Sequence, residues 1–171
     1  MRRLIIMRHA KTERWFEGVN DAARALVARG HEDAVLVADD MVERGWLPDH
    51  VVVSTARRAI ETWARIKTFF PGVEAQKLDE LYLASLDTLL DTIDSTKEHE
   101  TVLLIGHNPG LHELALHYWA RDDRAEFPAD SEILDYKLPT SAAVLIEFGG
   151  SEDGSEMVRL GGMTYPKALR V

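Results

Sequence analysis

The chain has 171 residues, 46% hydrophobic and 29% charged, which fits one globular domain over residues 1–171 and excludes disorder. It has no cysteine, so disulfides, thiolate metal sites and cysteine nucleophiles are excluded together. A formal net charge of −9 argues against sequence-independent binding of DNA or RNA, which needs clustered Lys and Arg, but leaves room for a local cationic pocket.

In chain order, "RLIIM" (3–7) reads as a first strand. The run stops at Met7, too short for a secretory signal. No stretch approaches the ~20 apolar residues of a membrane span, so a cytoplasmic chain with no membrane partner is expected. Residues 21–45 carry Leu26, Ala34, Val37 and Met41 at helical spacing. Gly30 is expected to split them into two helices, with Gly45 ending the second. "HVVVS" (50–54) reads as a second strand, followed by a helix over 56–70 that Pro71-Gly72 ends. Leu86, Leu89, Leu90 and Ile93 form the apolar stripe of another helix. "TVLLIG" (101–106) is a third strand, and a helix over 111–120 follows it. Residues 121–138 read as irregular or partly helical, "SAAVLIEF" (141–148) as a fourth strand, "GGSEDGS" as a turn, and 155–161 as a possible edge strand.

Continuous apolar runs mark strands buried on both faces, and their alternation with helices predicts a three-layer α/β domain. Its central sheet is mostly parallel, with helices on both faces. In such sheets ligands bind beyond the carboxyl ends of the strands. Arg8 and His9 follow the first strand, Arg57 and Arg58 the second, and His107 the third. These residues would meet at one rim as a cationic pocket, for which phosphate is the fitting anion. Thr55 and Asn108 are expected to cap the helices whose N-termini face it, with Pro109 at the first helical position. Neighbouring positive charge keeps His9 neutral, as a nucleophile or base. Arginines would stabilise charge on a transferring phosphoryl group.

These residues resemble the histidine phosphatase superfamily. "MRHAKTE" is similar to its first motif, "STARRAIET" to its second (Ser-x-x-x-Arg-Ala-x-x-Thr, placing the family arginine at Arg58), and "IGHNPGL" to its third. "DAARALVARGHEDA" also resembles the segment after the first motif. "RHAK", "GHNPG" and the late "YPKALR" look most like the SixA-like phosphohistidine phosphatases. The resemblance spans nearly the whole chain. It implies His9 as the nucleophile of a covalent phosphohistidine intermediate and Arg8, Arg58 and His107 as the phosphate pocket, with no metal or other cofactor. Thr12, Arg57 and Asn108 are candidate substrate contacts. Their plainer roles are a turn, a surface charge and a helix cap.

The family's usual acids are missing. Leu83 stands where a Glu is common, Asn108 where an Asp is common, and Glu80 is the remaining candidate proton donor. An alkoxide leaving group needs a proton, whereas a phosphohistidine imidazole can already carry its own and leaves well. The expected function is therefore a phosphatase acting on phosphohistidine of a signalling or phosphotransfer protein. The alternatives are a phosphomonoesterase for a small phosphorylated metabolite and a non-catalytic phosphate-binding module. A monomer is expected. His112 and His117 do not make a zinc motif, because five residues turn them roughly 140° apart on a helix. Trp15 and Phe16 read as pocket rim or as packing residues.

Overall fold

The computed structural model describes residues 2–122, 136–150 and 156–170. In chain order they form β1 (Arg2–Arg8), α1 (Ala28–Glu43), β2 (His50–Ser54), α2 (Arg57–Ile66), β3 (Ala75–Leu78), α3 (Leu86–Asp94), β4 (Thr101–Gly106), α4 (Gly110–Trp119), β5 (Ala143–Gly150) and β6 (Glu156–Thr164), then a short helical turn, Pro166–Leu169. The strands make one six-stranded sheet in the order β3-β2-β4-β1-β5-β6. β3, β2, β4 and β1 run parallel, β5 is antiparallel to β1, and β6 is antiparallel to β5. The predicted α/β class and mostly parallel sheet are observed.

The alternation of side chains along each strand explains the layers. Leu4 and Ile6 of β1, with Val102 and Leu104 of β4, pack against α3 and α4 through Leu89, Ile93, Leu111 and Leu114. Ile5, Met7, Leu103 and Ile105 face the other way and meet Ala34, Val37 and Met41 of α1 and Ala59, Trp63 and Ile66 of α2. Leu4, Ile5, Ile6 and Met7 are all 0% exposed, and burying such a side chain contributes about 1.5–3 kcal/mol relative to leaving it in water.

Three local expectations are corrected. Gly30 does not break the helical segment; it lies inside α1, and only a short 3-10 turn, Asp21–Ala23, precedes the helix. A Cβ on Gly30 would stand 2.2 Å from the carbonyl oxygen of Lys11. The glycine therefore serves close approach of α1 to the chain just past His9. Thr55 does not cap α2, whose N-cap is Ala56, with Ser54 Oγ accepting from the Ala56 amide at 3.3 Å. Asn108 does not cap α4, whose N-cap is Pro109. Gly110 opens that helix against Ala84, whose carbonyl oxygen a Cβ would meet at 2.2 Å.

β3 has no counterpart in the sequence reading. It is a four-residue edge strand, AQKL, with Gln76 and Lys77 exposed, so it lacks an apolar run. The expected edge strand is β6, longer than foreseen. Most of 121–138 and of the "GGSEDGS" turn lies outside the described residues.

Candidate active site

β1, β4 and β2 are neighbours running the same way, so their carboxyl ends share one rim. β1 delivers Arg8 and then His9, whose amide donates to the Gly106 carbonyl at 3.0 Å. β2 ends at Ser54, and Arg58 sits in the first turn of α2. β4 ends at Gly106, and His107 follows. The His9 and His107 rings lie 5.1 Å apart, centroid to centroid. Arg58 Nε lies 3.2 Å from His107 Nδ1. The structure thus brings His9, His107 and Arg58 together, although they are far apart in the chain.

The hydrogen-bond partners fix both tautomers. His9 Nδ1 lies 2.8 Å from the Ala10 carbonyl oxygen. That oxygen can only accept, so Nδ1 carries the proton and Nε2 keeps its lone pair. His107 is the reverse. Arg58 Nε can only donate, so His107 Nδ1 accepts and its Nε2–H donates to Ser54 Oγ at 2.7 Å. Both imidazoles are buried, His9 to 6% and His107 to 3% exposure. Burial pulls the His9 pKa down to about 3; the Ala10 hydrogen bond opposes this, while His107, Arg8 and Arg58 add to it. Burial likewise lowers His107 to about 3, reinforced by Arg58 and opposed by Asp21. The two rings are neutral at physiological pH.

Of the two cations, Arg58 is buried and Arg8 half-buried. Arg8 Nη1 donates to the Leu138 carbonyl at 2.9 Å, and Arg8 Nε is buried with no partner. Burial and the nearby Arg58 lower the Arg8 pKa. Arg58 is 2% exposed. It is anchored by Asp21, donating from Nη1 to the backbone oxygen at 2.7 Å and from Nη2 to Oδ2 at 3.0 Å. Asp21 in turn accepts from Tyr82 Oη at 2.6 Å and from Arg24 Nε at 2.9 Å. The Tyr82 bond above all, with Arg58 and Arg24, holds the Asp21 carboxyl down at about 2, against its partial burial. The Arg58 guanidinium also lies over the Tyr82 ring, 5.7 Å from its centroid, and Tyr82 meets His107 edge-on.

Asp21, Arg24, Tyr82, Ser54 and Thr62 were not singled out from the sequence. Ser54 and Thr62 are the first and last letters of the second motif, and that was their signal. Thr62 Oγ1 accepts from the Ala10 amide at 2.9 Å and donates to the Arg58 carbonyl at 2.7 Å, which ties α2 to the loop after His9. Tyr82 directly precedes Leu83, the position at which the family commonly has a Glu.

The remaining candidates fall elsewhere. Thr12 Oγ1 accepts from Arg24 at 3.1 Å, and Thr12 bridges to Leu26, so it serves the loop that carries Arg24. Arg57 is exposed and paired with Glu61 at 2.7 Å. Asn108 donates from Nδ2 to the Leu138 carbonyl at 2.9 Å, the oxygen that Arg8 also uses, and its Oδ1 is buried without a partner. Glu80 is exposed and faces a groove against α3, with Thr88, Asp91 and Ser95. Trp15 and Phe16 are 59% and 65% exposed, so neither is a core residue. Among the described residues, no group of three or more His, Cys, Asp or Glu side chains is arranged to hold a metal ion.

The arrangement can hold a phosphoryl group between the Arg8 and Arg58 guanidiniums, beside the imidazole nitrogen of His9 that keeps its lone pair. The comparisons agree with that chemistry. Residues 4–89 match the model of the histidine phosphatase superfamily, branch 1. An uncharacterized protein of Mycobacterium tuberculosis is 31% identical over 151 residues, covering 84% of this chain and 88% of that one. Among solved structures, a protein assigned as the phosphohistidine phosphatase SixA from Agrobacterium tumefaciens superposes with a TM-score of 0.79 at 26% identity, over 96% of this chain and 98% of that one. A tungstate complex of the protein histidine phosphatase SixA shares the fold, with a TM-score of 0.74 at 20% identity, over 98% of this chain and 99% of that one. By sequence match and by fold, the chain belongs to branch 1 of the histidine phosphatase superfamily and is SixA-like.

Proposed function

We propose that the protein hydrolyses phosphohistidine on another protein, through a phosphoenzyme formed on His9. The observation that carries this reading is the chemistry of the leaving-group side. Among the described residues, no carboxylic acid is placed to give up a proton in the pocket. Asp21 is ionised and occupied by Arg58, Arg24 and Tyr82. Glu80 faces the α3 groove, and Asn108 is an amide.

Phosphohistidine needs no such acid. Its far ring nitrogen is protonated near neutral pH, so the imidazole departs neutral when the P–N bond breaks. His9 Nε2 supplies the electron pair for the new P–N bond, and Nδ1–H stays on the Ala10 carbonyl. Arg8 and Arg58 balance the charge on the equatorial oxygens. In the second step water attacks phosphorus, and the His9–phosphorus bond breaks. His9 returns as the same neutral tautomer, because Nδ1 has kept its proton throughout, and the water's protons remain with inorganic phosphate and solvent. His107, held neutral between Arg58 and Ser54, fixes the Arg58 guanidinium plane. The phosphatase neighbours support the reaction class.

The test is a comparison of kcat/KM for a phosphohistidine peptide with a panel of sugar and aryl phosphates. A clear preference for sugar phosphates would overturn the reading.

A further inference from the structure

A second cationic feature lies on the same rim of the sheet. β6 runs in the direction of β1, and β5 starts where β1 ends, so the segments after β6 and before β5 flank the active-site end. They enclose, with the start of α1 and the chain past His9, a groove of about 620 Å³ lined by Lys11, Arg29, Asp33, Thr140, Lys167 and Arg170, among others. The "YPKALR" stretch supplies the last two cations. Asp33 is buried and ties Arg29, at 3.1 Å, to Arg170. The exposed Glu32 lies 3.8 Å from Arg170. Lys11 and Lys167 are exposed and have no ion pair among the described residues. Among the described residues four cations thus stand against two carboxylates, in a chain whose formal net charge is −9.

The groove is joined to the nucleophile by the backbone. Lys11 is two residues past His9, and its carbonyl accepts from the Val27 amide at 3.0 Å, which seats the loop on the start of α1. Thr140 precedes Ser141, whose amide donates to the His9 carbonyl at 3.2 Å. On the other side of Thr140, the Leu138 carbonyl is the acceptor for Arg8 and Asn108. One short segment therefore has the phosphate pocket on one side and the cationic groove on the other. A phosphoryl group at His9 cannot also fill the groove, which is far larger than one phosphate. A substrate that occupies both extends well beyond its phosphoryl group, as a phosphoprotein segment does.

We infer that this groove docks an acidic segment of the phosphoprotein substrate, next to the phosphohistidine that enters the His9 pocket. The inference rests on the protein-phosphohistidine reading above. It adds a substrate preference: Asp and Glu near the phosphohistidine, read by Lys11 and Lys167 with the Asp33-tethered arginines behind them. Complementary charge at the edge of a binding site acts on encounter and is screened by salt.

The experiment uses two synthetic peptides with a central phosphohistidine, one flanked by Asp and Glu and one by Ser, together with phosphoimidazole. For the wild type, the acidic flank should raise kcat/KM about tenfold, chiefly through KM, and added salt should erase the gain. The Lys11→Glu/Lys167→Glu variant should lose the preference yet turn over phosphoimidazole at the wild-type rate, which also shows that it is folded. Equal kcat/KM on both peptides for wild type, or a preference that survives in the variant, would overturn the inference. If neither peptide is a substrate, the parent reading fails separately. Docking is then decided by fluorescence anisotropy with the unphosphorylated acidic peptide: binding to wild type that the variant loses supports it, and no binding to wild type refutes it.

Discussion

Arg58 donates from Nε to Nδ1 of His107 at 3.2 Å, while Asp21 takes both of its terminal nitrogens. One guanidinium thus joins the second motif, the third motif and the 3-10 turn before α1. Neither lysine nor glutamine presents donors in that fork. Arg58→Ala should lower kcat on phosphoimidazole by about 10²–10³, the usual loss for a preorganised donor, and Arg58→Lys should recover little of it. Arg57→Ala should stay near the wild-type rate, because Arg57 is exposed and paired with Glu61. Steady-state kinetics of the three variants checks this; equal small losses at both positions would mean that Arg58 does not hold the phosphoryl group.

The tautomers assign the nucleophile. His9 has a free Nε2 lone pair, whereas His107 has spent its lone pair on Arg58 and its proton on Ser54. Acid-labile, base-stable label from a phosphorylated substrate should map to His9, and His9→Ala should abolish turnover with the circular dichroism spectrum unchanged. Label on His107 or Ser54 would reverse the assignment.

Both histidines also set a pH dependence of stability. In the folded chain each lies near 3, against an ordinary value of 6.5. Between those values the unfolded chain binds protons that the folded chain refuses, so stability must rise with pH across the window and fall on acidification. The slope is at most about 1.4 kcal/mol per pH unit for each histidine. Asp21, held near 2, adds its own loss only further down, as its carboxylate protonates. Urea unfolding between pH 6 and 4.5 should therefore show a shallower slope for His107→Gln than for wild type. Parallel curves would show that His107 titrates normally in the fold.

The strands that position the site were legible because α-helices cover both faces of the sheet, and doubly buried strands read as unbroken apolar runs. Arg8, His9, Arg58 and His107 were legible because each follows such a run or opens the helix behind it. β3 was not, since an edge strand with Gln76 and Lys77 in solvent carries no apolar signal. Asp21 and Tyr82 were not, because their roles depend on contacts across the chain, with Arg58 37 residues from Asp21 and Tyr82 61 residues from it. At Gly30 close packing governs and not helix breaking, a contact that the sequence does not show. It follows that Gly30→Ala, although it raises helix propensity, should destabilise the protein by about 1–3 kcal/mol, as overpacking does. The Cβ would otherwise sit 2.2 Å from the Lys11 carbonyl. Thermal unfolding checks the sign, and a stabilised Gly30→Ala protein would show that the loop past His9 yields freely.

The leaving group gives the sharpest test of the proposed substrate. An alkyl phosphate must lose an alkoxide, and general acids typically supply about 10²–10⁴ of the rate of such a step. Tyr82 is a hydroxyl-bearing side chain packed against Arg58 and His107. Its proton is already given to Asp21 at 2.6 Å, and that bond raises its pKa. It is a poor acid as placed, and Glu80 lies outside the pocket. Phosphoimidazole and activated aryl phosphates should therefore react well, and alkyl phosphates poorly, with the rate following leaving-group pKa steeply. Glu80→Gln and Tyr82→Phe should change phosphoimidazole turnover only a few-fold. Tyr82→Phe should act, if at all, through the loosened Asp21–Arg58 contact, and so should scale all substrates alike. The decisive outcome is a large loss confined to alkyl phosphates in either variant, with the wild type fast on them. That pattern would locate a working acid at Glu80 or Tyr82 and move the protein to small phosphomonoesters.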